Sequence, residues 1–188
     1  MLKLFAWPLL IVLVVLLTSF NSNGAEIKIP AVNDPDLQLT LFAAEPDIVT
    51  PIGLAIDKRG RLFVVESHTH FPRPDYPGAK FDRVKIIEDS DGDGNPDKIS
   101  IFADGLYHSM NLAFSPEGVL YLTHRNGVVI LRDQAGVGVS ESILELQTRG
   151  NYPHNGIGGI AFSPEGQLYI GLGENLGELL APGKLGAR

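Results

Sequence analysis

From Leu41 onward the chain alternates short apolar runs with turn residues, and the same hairpin pattern returns three times. Ile52–Ile56 and Leu62–Val65 flank Asp57-Lys58-Arg59-Gly60-Arg61; Leu112–Phe114 and Leu120–Leu122 flank Ser115-Pro116-Glu117-Gly118; Ile160–Phe162 and Leu168–Ile170 flank Ser163-Pro164-Glu165-Gly166. Runs this short, bounded by Gly, Pro and Asp, predict strands rather than helices. Two hairpins are followed by further strand-like pairs. Val84–Glu88 and Ile99–Phe102 are joined across Asp89–Lys98, and Val128–Leu131 and Ile143–Leu146 across Arg132–Ser142. Gln38–Phe42 alternates well enough for one strand more, and His68–Lys80, with its prolines and no periodicity, predicts a long loop.

The equivalent positions Leu54, Leu112 and Ile160 are 58 and 48 residues apart, and the long loop accounts for most of the difference. Four strands per unit at that period predict an all-β fold, a β-propeller of four-stranded blades. A β-sandwich is the other all-β solution, but it does not call for the same Ser-Pro-Glu-Gly turn at matching places. The blades fall at 47–104, 105–150 and 151–178, after a leading segment at 26–46 and before a tail at 179–188. This is about two and a half blades, where closed rings have roughly 4–8. The expectation is an incomplete propeller, the front of a longer one, completed by downstream blades.

Composition changes this picture little: 21 glycines and 13 prolines suit a turn-rich β protein. Charge excludes one class of partner. The formal net charge is −7, and the one charge before residue 26 is Lys3, so the body is acidic without a basic run. Nucleic acid is therefore not an expected partner. Residues 1–25 stand apart: Lys3, the apolar run Leu4–Phe20, then Asn21-Ser22-Asn23-Gly24-Ala25. They read as a signal peptide cleaved after Ala25 or as an uncleaved membrane anchor through residues 4–20. Both place the body outside the cytoplasm, in the periplasm or cell envelope. The absence of cysteine excludes disulfides, thiolate-ligated zinc and covalently attached c-type haem within these residues.

Antiparallel order places the candidate chemistry on one side. In an up-and-down blade, turns between strands one and two and between three and four share a face, and the other connections share the opposite face. His68 and His70 follow a second strand, His124 ends another, and His108 and His154 precede first strands. All five histidines therefore share one face, with Glu66, Arg125, Glu174 and Asn175. Imidazoles there can move protons or ligate metals near neutral pH. If His68-Thr69-His70 continued as a strand, both rings would share one side and could hold a metal; it reads equally as a surface loop.

The opposite face carries Asp89-Ser90-Asp91-Gly92-Asp93-Gly94-Asn95-Pro96-Asp97. Asp89, Asp91, Asp93, Asn95 and Asp97 have the spacing by which a short loop wraps oxygens around Ca²⁺. It is not an EF-hand, because Ser100 stands where the closing Glu belongs. The matching turn Asp133-Gln134-Ala135-Gly136-Val137-Gly138 keeps both glycines and loses two acids. The glycines thus read as turn residues and the acids as a structural Ca²⁺ site, or else as a merely acidic hairpin tip.

His154–Asn175, HNGIGGIAFSPEGQLYIGLGEN, resembles a hairpin of the glucose/sorbosone dehydrogenase family of six-bladed propellers, which includes soluble quinoproteins using pyrroloquinoline quinone (PQQ). VVESHTHFP, EDSDGDGNPDK and GLYHSMNLAFSPEGVLYLTHRNGV resemble, more closely, the propeller of planctomycete-type membrane-bound dehydrogenases. There a propeller often precedes helical repeats and a cytochrome (haem-binding) domain. The resemblance implies His154 as the general base for a sugar or alcohol hydroxyl. The shared face (His68, His70, His108, His124, Arg125, Glu174, Asn175) becomes the expected cofactor-binding surface. The family's quinone-holding arginines and calcium ligands lie in later blades, and Gly159-Ile160 replaces its usual Arg, so the 188 residues alone are expected to show little dehydrogenase activity. Two other functions fit the residues: a metal-dependent lactonase-like hydrolase, with Glu66 and Glu174 as axis-facing acids, and a non-catalytic module that binds glycans or protein.

Overall fold

The computed structural model describes residues 2–6, 27–145 and 156–172. Twelve strands are present among them, and no helix. β1 (Leu2–Ala6) pairs antiparallel with β2 (Leu37–Leu41). β3 (Pro51–Ile56), β4 (Leu62–Glu66), β5 (Asp82–Glu88) and β6 (Lys98–Leu106) form one antiparallel meander. β7 (Ser109–Phe114), β8 (Leu120–His124), β9 (Gly127–Gln134) and β10 (Val137–Glu145) form a second. β11 (Ile157–Phe162) and β12 (Leu168–Leu172) begin a third. The fold is all-β, a partial β-propeller of two four-stranded blades and the opening hairpin of the next.

The three opening hairpins are the same object because the same backbone bonds close them. Gly60 N–H donates to Asp57 O, Gly118 N–H to Ser115 O and Gly166 N–H to Ser163 O, at 2.9–3.0 Å. Each glycine sits at φ between +79° and +88°, a region open to Gly without steric cost. The repeated Gly in the sequence thus marks one repeated backbone conformation.

The first strands β3, β7 and β11 pack side by side, which stacks the blades around a common edge. Gly53 makes the approach possible: a Cβ there would lie 2.7 Å from Asn111 Cα. Between blades one and two the core holds Phe63, Val65, Val84, Ile86 and Phe102 against Leu112, Leu120, Leu122 and Leu131. The Phe63 ring meets Phe102 edge-on at 5.2 Å and Phe114 of the next blade at 5.1 Å, the geometry that aromatic quadrupoles favour. Blade one's other side is covered by Phe42 and Ala43 from the leading segment and Ile48 just after it, packed on Leu62, Val64 and Ile87. Among the described residues no helix is long and apolar enough to cross a membrane; the apolar run expected to export or anchor the chain lies, apart from its start in β1, outside them.

Two local expectations are corrected. The second blade's outer connection is not a long loop over Arg132–Ser142, since β9 and β10 continue to Gln134 and Val137 around the two-residue turn Ala135-Gly136. Both turn residues have positive φ, the form that matches strand twist. The polar residues hid these strands because their solvent-facing positions dilute the apolar pattern. Gly138 is not a turn glycine either. It lies in β10, where a Cβ would meet the Phe102 ring, so it is kept small by packing between blades. His68-Thr69-His70 belongs to the long loop expected over His68–Lys80, since β4 ends at Glu66.

The close crossing of β3 and β7 yields a prediction. Gly53→Ala should lower the urea midpoint by about 1–3 kcal/mol of stability, the usual cost of overpacking. Gly158→Ala, with nothing near its Cβ, should change it little; equal effects would contradict the packing described.

Candidate functional site

The histidine-bearing side is organised by Asp82, the first residue of β5 and fully buried. Its Oδ1 accepts from the His68 and Thr69 backbone N–H groups at 2.6 and 2.8 Å. Its Oδ2 accepts from Thr69 Oγ1 at 2.9 Å and Ser109 N–H at 2.8 Å. Thr69 Oγ1 in turn accepts from His108 N–H at 2.8 Å. Arg125 N–H donates to His108 O at 3.0 Å, adding the β8–β9 turn. One carboxylate therefore fixes the loop after β4, the connection into β7 and, through it, the turn after β8.

A second buried group stands beside the first. Glu66 is 1% exposed; its Oε1 pairs with Lys85 Nζ at 2.7 Å and accepts from Val49 N–H at 2.8 Å. Its Oε2 lies 3.4 Å from His68 Nε2, and the other nitrogen, His68 Nδ1, lies 2.6 Å from the Tyr76 hydroxyl. Both His68 nitrogens are thus engaged inside the protein. A cavity of about 540 Å³ opens above this network, lined by His68, His70, Arg73, Tyr76, Ser109 and Gly158 among others. Ser109 Oγ is buried on its wall and finds no hydrogen-bond partner among the described residues.

His70 is exposed, with its ring edge-on to Phe71 at 5.2 Å. His108 and His124 complete the group. Burial, then the nearby Arg125 charge, holds the His108 imidazole below its ordinary pKa, and His70 repels its charged form further. Burial, and to a lesser degree His108, does the same to His124. The face thus brings His68, His70, His108, His124 and Arg125 together. His154, Glu174 and Asn175 lie outside the described residues. The chain just past His154 is bound to this side: Gly156 is pressed against the Arg125 backbone, and Gly158 O accepts from Asn111 Nδ2 at 3.1 Å.

The acidic turn between β5 and β6 lies at the other end of the strands, about 20 Å away over the seven residues of β5. Asp89, Asp91 and Asp97 bring carboxylate oxygens within 4.8 Å of one another. Asp93 and Asn95 are not in that group. Asp93 Oδ1 accepts from Asn95 N–H at 2.7 Å, which makes it a turn former. Asp97 is held below the usual carboxylate range by the Ser90 hydroxyl and then by the Ser90 N–H. Among the described residues this is the one cluster of metal-type side chains, and the histidines are not in it.

A family model described as a domain of unknown function, DUF7133, matches residues 26–187. The chain belongs to the DUF7133 family. No match to a curated protein is found. Among solved structures, this DUF7133 chain is similar to a gluconolactonase from Xanthomonas campestris, at 18% identity and TM-score 0.49, covering 81% of this chain and 40% of the other. It is similar also to a Thermus thermophilus protein provisionally named an oxidoreductase (glucose dehydrogenase), at 26% identity and TM-score 0.48, covering 68% and 38%. A third similarity is to Kuenenia stuttgartiensis hydrazine synthase, at 23% identity and TM-score 0.41, covering 63% and 36%. The DUF7133 chain spans less than half the length of each.

Three residues central to this DUF7133 site escape a reading of the sequence: Asp82, Tyr76 and Ser109. An acid opening a strand looks solvated, and a tyrosine in a Pro-rich loop carries no periodic signal. For Asp82 the one available signal is its position, since parity places the start of β5 on the histidine side.

Two predictions follow from the buried charges. Asp82→Asn replaces one of the two accepting oxygens with an NH2 donor that faces two donors, and should cost about 2–3 kcal/mol, against about 0–1 for Asp104→Asn at an exposed ion pair with Arg83. Equal losses in urea denaturation would remove Asp82 from its organising place. For His108 and His124 the folded pKa lies below the ordinary value of 6.5. The unfolded chain then binds more protons just below pH 6.5, so stability is full above that pH and falls as pH drops towards the folded values. His124→Gln should flatten the decline of the urea midpoint between about pH 7 and 5.5; an unchanged slope would contradict the assignment.

Proposed function

We propose that this chain supplies part of the active face of an exported, dehydrogenase-like propeller that oxidises a small sugar or alcohol with a quinone acceptor. The observation that carries the reading is the convergence of four histidines and Arg125 on one side of the blades, with His68 and His70 on the wall of a cavity that also includes Gly158, four residues past His154. The His108 and His124 imidazoles, held below their ordinary pKa by burial, make this a side suited to proton acceptance. The motif resemblance to glucose/sorbosone dehydrogenases and to planctomycete-type membrane-bound dehydrogenases gives His154 the base's role. Export by residues 1–25 and partnership with downstream blades or a cytochrome domain belong to the same proposal.

PQQ is a flat polycarboxylate, and the cavity offers what such a group needs in kind: Arg73 and His70 for carboxylates and Phe71 as a flat wall. When bound, it would supply the hydride acceptor. The chain's own part is to orient the substrate on the cavity wall and to take its hydroxyl proton. Asp89, Asp91 and Asp97 are the proposed Ca²⁺ ligands, with a structural role at the far end of the blade.

The test is dye-coupled oxidation of aldoses and alcohols by the full-length protein supplied with PQQ and Ca²⁺. His154→Ala should lower kcat by about 10²–10⁴-fold, the range for loss of a general base. No dye reduction with any substrate would overturn the reading, and hydrolysis of gluconolactone in its place would move it to the lactonase-like alternative.

A further inference from the structure

Tyr76 occupies an unusual position in the long loop between β4 and β5. Its ring folds back over Gly78, where any Cβ would overlap the phenol, so the glycine is what allows the side chain to lie there. The turn is closed by Tyr76 N–H donating to Arg73 O at 3.0 Å. In this pose the hydroxyl sits 2.6 Å from His68 Nδ1.

Proton bookkeeping assigns the bond's direction. An ionised Glu66 can only accept, so the ring nitrogen facing it, His68 Nε2, carries the hydrogen. His68 Nδ1 is then a bare acceptor, and Tyr76 is the donor. Glu66 is itself held by Lys85 and the Val49 N–H, so the imidazole is oriented from behind. Nucleophile or acid, then base, then orienting carboxylate is the arrangement by which a hydroxyl is activated. His68 and Tyr76 both line the cavity, and Tyr76 is the more exposed of the two, so the phenol is the group a molecule there meets first.

Ser109 points independently to a ligand. The residue lines the same cavity, and its hydroxyl is buried without a partner among the described residues. A buried hydroxyl left unpaired is destabilising, and a ligand oxygen that reached it would restore the missing bond.

We propose that Tyr76, backed by His68 and Glu66, is a second proton-transfer group on this face, in addition to His154. It acts on a hydroxyl of a neutral polyol or sugar whose neighbouring oxygen is held by Ser109. The ligand hydroxyl passes its proton to Tyr76 Oη as the Tyr76 proton passes to His68 Nδ1. The products are a ligand oxyanion hydrogen-bonded to the phenol and an imidazolium facing Glu66. Only O–H and N–H bonds change, and no oxidant is required. The ligand class rests on the reading of this face as a site for hydroxylated small molecules; the activation of Tyr76 does not.

The experiment is acetylation of the full chain by N-acetylimidazole at neutral pH, followed by peptide mass mapping. Tyr76 Oη attacks the acetyl carbonyl as its proton passes to His68 Nδ1, the C–N bond to imidazole breaks, and the departing ring takes up a proton, supplied by His68 directly or through solvent, so that His68 returns to its neutral form. Tyr76 should react about 10-fold or more faster than Tyr107 and Tyr169, although those are 57% and 53% exposed and it is half-buried. His68→Asn, and separately Gly78→Ala, should bring it down to their rate. Tyr76 reacting no faster than the exposed tyrosines in the unaltered protein would overturn the relay. The ligand half is read from protection by D-glucose, glycerol and a panel of alditols. Slowing at Tyr76 that Ser109→Ala abolishes is the expected result. A fast Tyr76 that none of them protects would refute the ligand assignment and count against the proposed function, while leaving the relay standing.

Discussion

The histidine-bearing side of the propeller depends on one buried carboxylate. Asp82 has no solvent exposure, and both its oxygens are used by backbone and hydroxyl donors from two different loops. A carboxylate taken from water is costly unless such donors replace its hydration. The cost becomes a constraint: the loop after β4 and the connection into β7 have to be where Asp82 needs them. His68, Thr69, His108 and Ser109 are placed by that requirement, and the cavity is the space they leave.

The rest of the molecule gives Asp82 a rigid base. β3 and β7 approach closely because Gly53 has no side chain, and the Phe63 ring locks blade one onto blade two. Strand order then separates the two ends of each blade. The Asp89, Asp91 and Asp97 turn and the Gly60, Gly118 and Gly166 turns lie at one end, and the imidazoles, Glu66 and Tyr76 at the other. Packed strands alone therefore separate the acidic turn from the histidine side.

Much of this could be read from the sequence. The hairpins were legible because a glycine at positive φ cannot be exchanged freely, so Gly60, Gly118 and Gly166 recur in step with the apolar runs. Parity along antiparallel strands then put His68, His70, His108 and His124 on one side without any distance being known. What stayed hidden depends on contacts far apart in sequence. The partners of Asp82 are 13 to 27 residues away, and the pairing of Tyr76 with His68 follows from how the Pro-rich loop folds back over Gly78. The loop expected from His68 onward is present because β4 ends at Glu66, but its lack of periodicity hid that one ring would be buried and the other exposed. Solvent-facing polar residues likewise concealed the full length of β9 and β10.

Amide hydrogen exchange tests the central claim most directly, since it reads the bonds to Asp82 one residue at a time. The His68, Thr69 and Ser109 amides lie at or beyond strand ends, where exchange is ordinarily fast. Held by a buried carboxylate, they should be protected to the level of core amides such as Val65 and Leu122. Exchange at the rate of the exposed loop residues Arg73 and Asp75 would contradict the account.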